Sequence, residues 1–88
     1  MNIIKITKAK YIRDYKIHLT FNDGKQKVVN LKKELWGEVF EPLKDVNYFK
    51  KFTLNPFTIQ WENGADFSPE FLYQYDEEIE KEENLSSA

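Results

Sequence analysis

One stretch constrains this chain more than any other: Trp61–Tyr73, WENGADFSPEFLY, in which a strand ends, the backbone turns and a helix begins. Phe57, Ile59 and Trp61 alternate with Thr58, Gln60 and Glu62, the period of a strand with one buried face. Asn63-Gly64 stops that strand, because both residues tolerate positive φ and the pair favours a tight turn. Ala65-Asp66 beyond it is too short to establish a full hairpin. Ser68 is a good N-cap, Pro69 stands at the first helical position where a missing N–H costs nothing, and Glu70 places a carboxylate near the positive end of the helix dipole. Phe67 and Leu72 flank the cap at the spacing of a hydrophobic staple. The pattern predicts a C-terminal helix from Pro69 to about Glu80, with an apolar stripe of Leu72, Tyr75 and Ile79.

Upstream, Ile4 and Ile6 alternate with Lys5 and Thr7, a first strand running on towards Tyr11-Ile12 with a break or bulge expected near Ala9. Tyr15, Ile17, Leu19 and Phe21 alternate with Lys16, His18, Thr20 and Asn22 in the clearest strand of the chain. A two-residue loop at Asp23-Gly24 would leave Val29 and Leu31 on the wrong face. The three-residue loop Asn22-Asp23-Gly24, with Gly24 left-handed, instead opposes Val29 to Ile17 and Leu31 to Tyr15, and is the register expected. Asn30 can cap a single helical turn through Leu35, ended by Gly37, with Trp36 as an anchor. Asp45 is an N-cap for a helix of about two turns in which Val46, Phe49 and Phe52 share a face. Asn55-Pro56 separates Thr53-Leu54 from the following strand and favours a kink or an edge position. The whole reads as one α+β domain over residues 1–79, with a mostly antiparallel sheet of four to five strands, two short helices and the C-terminal helix. KEENLSSA is polar and aperiodic, so residues 80–88 read as a disordered acidic tail.

Three pieces together, FNDG with VVNL after it, VFEPLKD followed by Phe49, and WENGADFSPEFLY, resemble the small prokaryotic family catalogued as domain of unknown function 2442, over about residues 3–76. The resemblance implies an α+β domain with a mostly antiparallel sheet and no established biochemical activity. It also implies a partner, since members are often encoded beside a second small family and the pair looks like a toxin–antitoxin module. Other members carry a fused helix-turn-helix. This chain departs from those, because the residues after 76 are too few and too polar to make one, and direct operator binding is not expected.

The chemistry legible in the residues is sparse. With no cysteine and the single histidine His18, no transition-metal site is expected. No Gly-rich phosphate loop, nucleophile elbow or Ser-His-Asp order is present, so no catalytic residue and no cofactor is assigned. Glu62 and Asp66 form the one acid–base pair to weigh, and a local role for Asp66, accepting turn or helix N–H bonds, is preferred to catalysis. MNIIKITKAK lacks a signal-peptide core and no apolar run approaches the ~18 residues of a membrane span, so a soluble cytoplasmic protein is expected.

The net charge of −2 conceals a polarity: residues 1–51 hold 12 Lys/Arg against 6 Asp/Glu, and residues 52–88 hold 1 against 9. Lys5, Lys8, Lys10 and Arg13 with Tyr11 and Tyr15 interleaved, joined by Lys25, Lys27, Lys32 and Lys33 after the hairpin, make one candidate surface, of the composition that binds nucleic acid by phosphate contact and stacking. A sequence pI near 5.4 and a single arginine weigh against it. The preferred reading is a protein-interaction module, the antitoxin-like half of a two-protein pair, holding a small basic partner through a sheet edge or the acidic run Asp76, Glu77, Glu78, Glu80. Fourteen aromatics exceed the needs of so small a core, which nominates exposed ones such as Trp36 as further contacts, and Asp66 is a separate candidate.

Overall fold

The computed structural model describes residues 3–76. A three-stranded antiparallel sheet, β1 (Ile6–Arg13), β2 (Lys16–Phe21) and β3 (Gln26–Asn30), is followed by two 3₁₀ segments at Lys32–Glu34 and Glu38–Lys44 and the single-turn helix α1 (Val46–Phe49). A two-stranded ribbon, β4 (Thr53–Leu54) with β5 (Ile59–Gln60), and helix α2 (Pro69–Gln74) complete the α+β architecture. Ile17, Leu19 and Phe21 of β2 are buried against Ile59, Trp61 and Leu72, so one face of the sheet carries the core.

The hairpin register follows from Gly24. Ile17 pairs with Val29, and Leu31 N–H donates to the Tyr15 carbonyl at 2.9 Å, the pairing expected of a three-residue loop. Gly24 has φ +92°, a region closed to residues with a Cβ without strain. Its N–H donates to Phe21 O at 2.9 Å, and Asp23 Oδ1 accepts from Lys25 N–H at 2.9 Å. The same device recurs forty residues on. Trp61 N–H donates to Ala65 O, Gly64 N–H to Trp61 O, and Ala65 N–H to Asn63 Oδ1, with Gly64 at φ +94°. Glu62-Asn63-Gly64 is therefore a second three-residue loop, and Gln60 bridges Asp66 across it. The short return that the sequence leaves open is real because an Asn side chain and a glycine make the turn self-sufficient.

Four expectations are corrected. β1 is unbroken at Ala9, which pairs with Leu19; its register shifts lie at its two ends, between Ile6 and Lys8 and between Tyr11 and Arg13. Phe57 is 53% exposed rather than buried. Asn55 N–H donates to Thr58 O, and Asn55 Oδ1 accepts from both Phe57 and Thr58 N–H at 2.7 Å, so Pro56-Phe57 is the tip of the β4–β5 turn and lies outside the strand alternation. Thr58 goes inward instead, with its hydroxyl donating to Phe67 O at 2.7 Å.

Helix α2 is the third. Ser68 Oγ accepts from Phe71 N–H and Pro69 stands at its start, as the sequence predicts, but the helix stops at Gln74 because Tyr75 is extended at ψ 149°. Lys27 accounts for that stop. Opposite Leu19 in β3 and 5% exposed, it donates from Nζ to the carbonyls of Tyr73 (2.9 Å) and Tyr75, a cation placed at the negative end of the helix. The span expected for the helix beyond residue 76, and the tail at 80–88, lie outside the described residues.

The middle of the chain is largely 3₁₀, with the turn expected after Asn30 at Lys32–Glu34, and α1 is a single turn, Val46–Phe49, that leaves Phe52 outside the two-turn helix expected. Asn30 Oδ1 accepts from Lys32 N–H and so starts the first segment, while Pro42 lies inside the second and Leu43 is buried. Asp45 caps α1 by accepting from Asn47 N–H at 2.9 Å, and Trp61 Nε1–H donates to the Phe49 carbonyl at 2.7 Å, locking α1 onto β5.

Candidate protein-interaction surface

The second tight turn delivers the chain into α2 with Phe67 buried and Phe71 one helical turn further on. Phe40 stacks on Phe67 at 5.0 Å between ring centroids, Phe67 on Phe71 at 5.7 Å and 13°, and Phe71 meets Tyr75 at 5.2 Å. Phe67 also meets Trp61 edge-on at 6.0 Å, so this aromatic ladder is rooted in the core and emerges at the surface. Phe71 is 39% exposed, and Trp36, between the two 3₁₀ segments, is 71% exposed.

Two grooves flank Phe71. One, of about 340 Å³, is lined by Trp36, Phe40, Phe67 and Phe71 with Glu34, Asp66 and Ser68. Its neighbour, of about 500 Å³, shares Ser68 and Phe71 and adds Glu70, Gln74, Tyr75 and Asp76. Four carboxylates and no Lys, Arg or His line the pair among the described residues. Tyr75 joins them, its hydroxyl donating to Glu34 Oε2 at 2.9 Å. Burial, and then the Glu34 carboxylate that accepts its proton, push the Tyr75 phenol up to about 12.

The sequence candidates divide between this surface and elsewhere. Trp36 and Asp66, thirty residues apart in the chain, line one groove, and Asp76 lines the other. The turn and cap bonds foreseen for Asp66 are made by Asn63 Oδ1 and Ser68 Oγ. Glu77, Glu78 and Glu80 lie outside the described residues. Tyr11 and Tyr15 pack edge-on against Phe49 at 6.4 and 5.2 Å, with their hydroxyls donating to the carbonyls of Asp14 and Lys44. They therefore face the core, while Lys8, Lys10 and His18 line the other side of the sheet with Thr20 and Gln26. The interleaving seen in the sequence puts lysines and tyrosines on opposite faces, as strand alternation requires.

Phe40, Phe71 and Glu34 are not contact candidates in the sequence, and Glu70 stands out there only as a first-turn carboxylate of the helix. The spacing Phe67, Phe71, Tyr75 was the available signal, since i and i+4 side chains stack along one helix face. Lys27, grouped in the sequence with the basic residues after the hairpin, is instead 5% exposed, since the register that opposes Val29 to Ile17 puts it opposite Leu19 on the buried face.

Beside the grooves, the β2–β3 turn docks on α2. Tyr73 O–H donates to Asp23 Oδ2 at 2.6 Å, its ring meets Phe21 edge-on at 5.0 Å, and Lys25 Nζ lies 5.3 Å from its centroid. The hydrogen bond from Tyr73, followed by the Lys25 N–H, holds the Asp23 carboxyl below its usual range.

Among the described residues no group of three or more His, Asp and Glu is placed to hold a metal ion, and no helix is long and apolar enough to cross a membrane. No curated protein and no solved structure matches the chain. A family model does, over residues 6–78, and on that match the chain belongs to the family described as protein of unknown function (DUF2442).

Proposed function

We propose that this protein is a non-enzymatic protein-interaction module that contacts its partner through the grooves on either side of Phe71. The observation that carries the reading is Trp36, left 71% exposed beside an aromatic ladder that continues into the core. A tryptophan that loses its remaining water contact on binding gains ~2–4 kcal/mol at ~25 cal/mol per Å² of apolar surface, the scale of an interface hot spot. The partner is the second half of a two-protein pair, in which this chain is the antitoxin-like member. Placing a photo-crosslinking amino acid at position 36 in the native host tests this, with position 8 on the far side of the sheet as the control. A single stoichiometric protein adduct at 36 and none at 8 supports the module; heterogeneous adducts at both refute it. If that partner slows growth when produced alone, and this chain relieves the arrest while Trp36→Ala does not, the pair is of the toxin–antitoxin kind.

A second reading has one observation in its favour. Among the described residues, no carboxylate lines the open sheet face of Lys8, Lys10 and His18, which suits a phosphate backbone. With Tyr11 and Tyr15 on the core side, no aromatic ring lines that face among the described residues, so binding to an oligonucleotide would rest on phosphate contacts and fall steeply with salt.

A further inference from the structure

We infer that the occupant of the paired grooves is a basic segment of a partner protein, which seats one arginine or lysine side chain on each side of Phe71. The inference rests on the interaction-module reading and adds to it the chemistry of the partner. Each groove combines an aromatic wall with a carboxylate rim: Trp36 and Phe40 with Asp66 and Glu34 in one, Tyr75 with Glu70 and Asp76 in the other. No cation among the described residues lines either groove, so the rim charge is uncompensated from within the site.

Three classes of occupant compete, and the charge decides between them. An acidic or phosphorylated segment meets four like charges. A purely apolar segment desolvates those carboxylates without replacing their water, which costs more than the aromatic contact returns. A basic side chain satisfies both parts, since its aliphatic stem covers the ring and its charged head reaches the rim. Arginine fits better than lysine, because the planar guanidinium stacks on an aromatic face and presents a donor fork to a carboxylate at the same time. The chain's own residues 77–83, five acids and one lysine, carry the sign of the grooves and are not matched to them.

The two tryptophans make the test direct. Trp36 is exposed and reports on the groove, whereas Trp61 is buried and serves as an internal reference. Full-length protein is titrated with a short synthetic peptide of alternating glycine and arginine, and with its lysine and citrulline counterparts. The arginine peptide is expected to change Trp36 emission, to bind about tenfold or more tightly than the citrulline peptide, and to weaken as salt is raised. Trp36→Phe should remove the emission change. Asp66→Asn with Glu70→Gln should weaken arginine-peptide binding several-fold, with the thermal midpoint lowered by no more than the few degrees that loss of one first-turn carboxylate costs. Equal affinity for arginine and citrulline peptides, or arginine-peptide binding untouched by the double variant, overturns the inference. Should position 36 still crosslink one stoichiometric partner in that event, the module stands and only the basic occupant is lost. Should it crosslink none while the arginine peptide binds as expected, the groove chemistry stands and the module reading fails.

Discussion

Replacing Lys27 with methionine keeps the aliphatic stem and deletes the ammonium that closes α2. The group at stake donates two hydrogen bonds, to the carbonyls of Tyr73 and Tyr75, from a position 5% exposed. A bond from a charged donor contributes ~1.5–3 kcal/mol net, and the dipole at the end of a short helix adds ~0.5 kcal/mol. Against this, methionine no longer has an ammonium to desolvate, which returns part of the gain. The balance is a loss of about 2 kcal/mol, on the premise that the orphaned carbonyls find water only when the last turn of α2 loosens. With a urea slope of about 1–1.5 kcal/mol/M for a domain of this size, the unfolding midpoint should fall by about 1.5 M. Urea titration followed by Trp61 fluorescence reads the midpoint, and amide exchange locates the loss in α2. Lys27→Ala, which also empties the space around the stem, should fall further than Lys27→Met. If methionine unfolds at the wild-type midpoint, the helix end does not depend on the cation and the reasoning is wrong.

Leu19→Ala and Ile59→Ala, at fully buried positions, should each cost ~2–4 kcal/mol, whereas Phe57→Ala, at the exposed turn tip, should cost under ~1 kcal/mol in the same urea assay. Gly24→Val and Gly64→Val should destabilise by similar amounts of ~1–3 kcal/mol, since both glycines lie near φ +93°, and each should exceed Asp23→Ala; unequal glycine effects would show that the two turns are not equivalent. Tyr75 should titrate at about 12, against 10.0 for a free phenol, in a tyrosinate absorbance titration. Because the folded state binds that proton more tightly, the stability it contributes is present below pH 10 and is lost as pH rises towards about 12. Glu34→Gln should bring the Tyr75 value down without restoring it to 10.0, since burial is the larger cause.

Local rules were sufficient wherever a feature is settled within a few residues. Gly24 and the alternation of Ile17, Leu19 and Phe21 decided the register of the main hairpin, because only the three-residue loop puts Val29 and Leu31 on the face of Ile17. Ser68-Pro69 decided where α2 starts, and Asp45 where α1 starts, since a cap is a bond to a backbone N–H two or three positions away. Family membership was legible in three short runs, FNDG with VVNL, VFEPLKD and WENGADFSPEFLY, and the family model matches over residues 6–78.

Tertiary structure decided whatever depends on which surfaces meet. Phe57 alternates with Ile59 in the sequence, yet the bonds from Asn55 turn the chain at Pro56-Phe57 and send Thr58 inward to the Phe67 carbonyl. Lys27 reads as one more solvated lysine until α2 lays its C-terminal carbonyls over β3. Tyr11 and Tyr15 interleave with lysines along the chain and part from them across the sheet. The grooves beside Phe71 join Glu34, Trp36 and Phe40 to Asp66 and Phe71, residues some thirty positions apart. No periodicity in a linear sequence brings those together, because it is Phe40 of the second 3₁₀ segment, stacked on Phe67 just ahead of α2, that makes them neighbours.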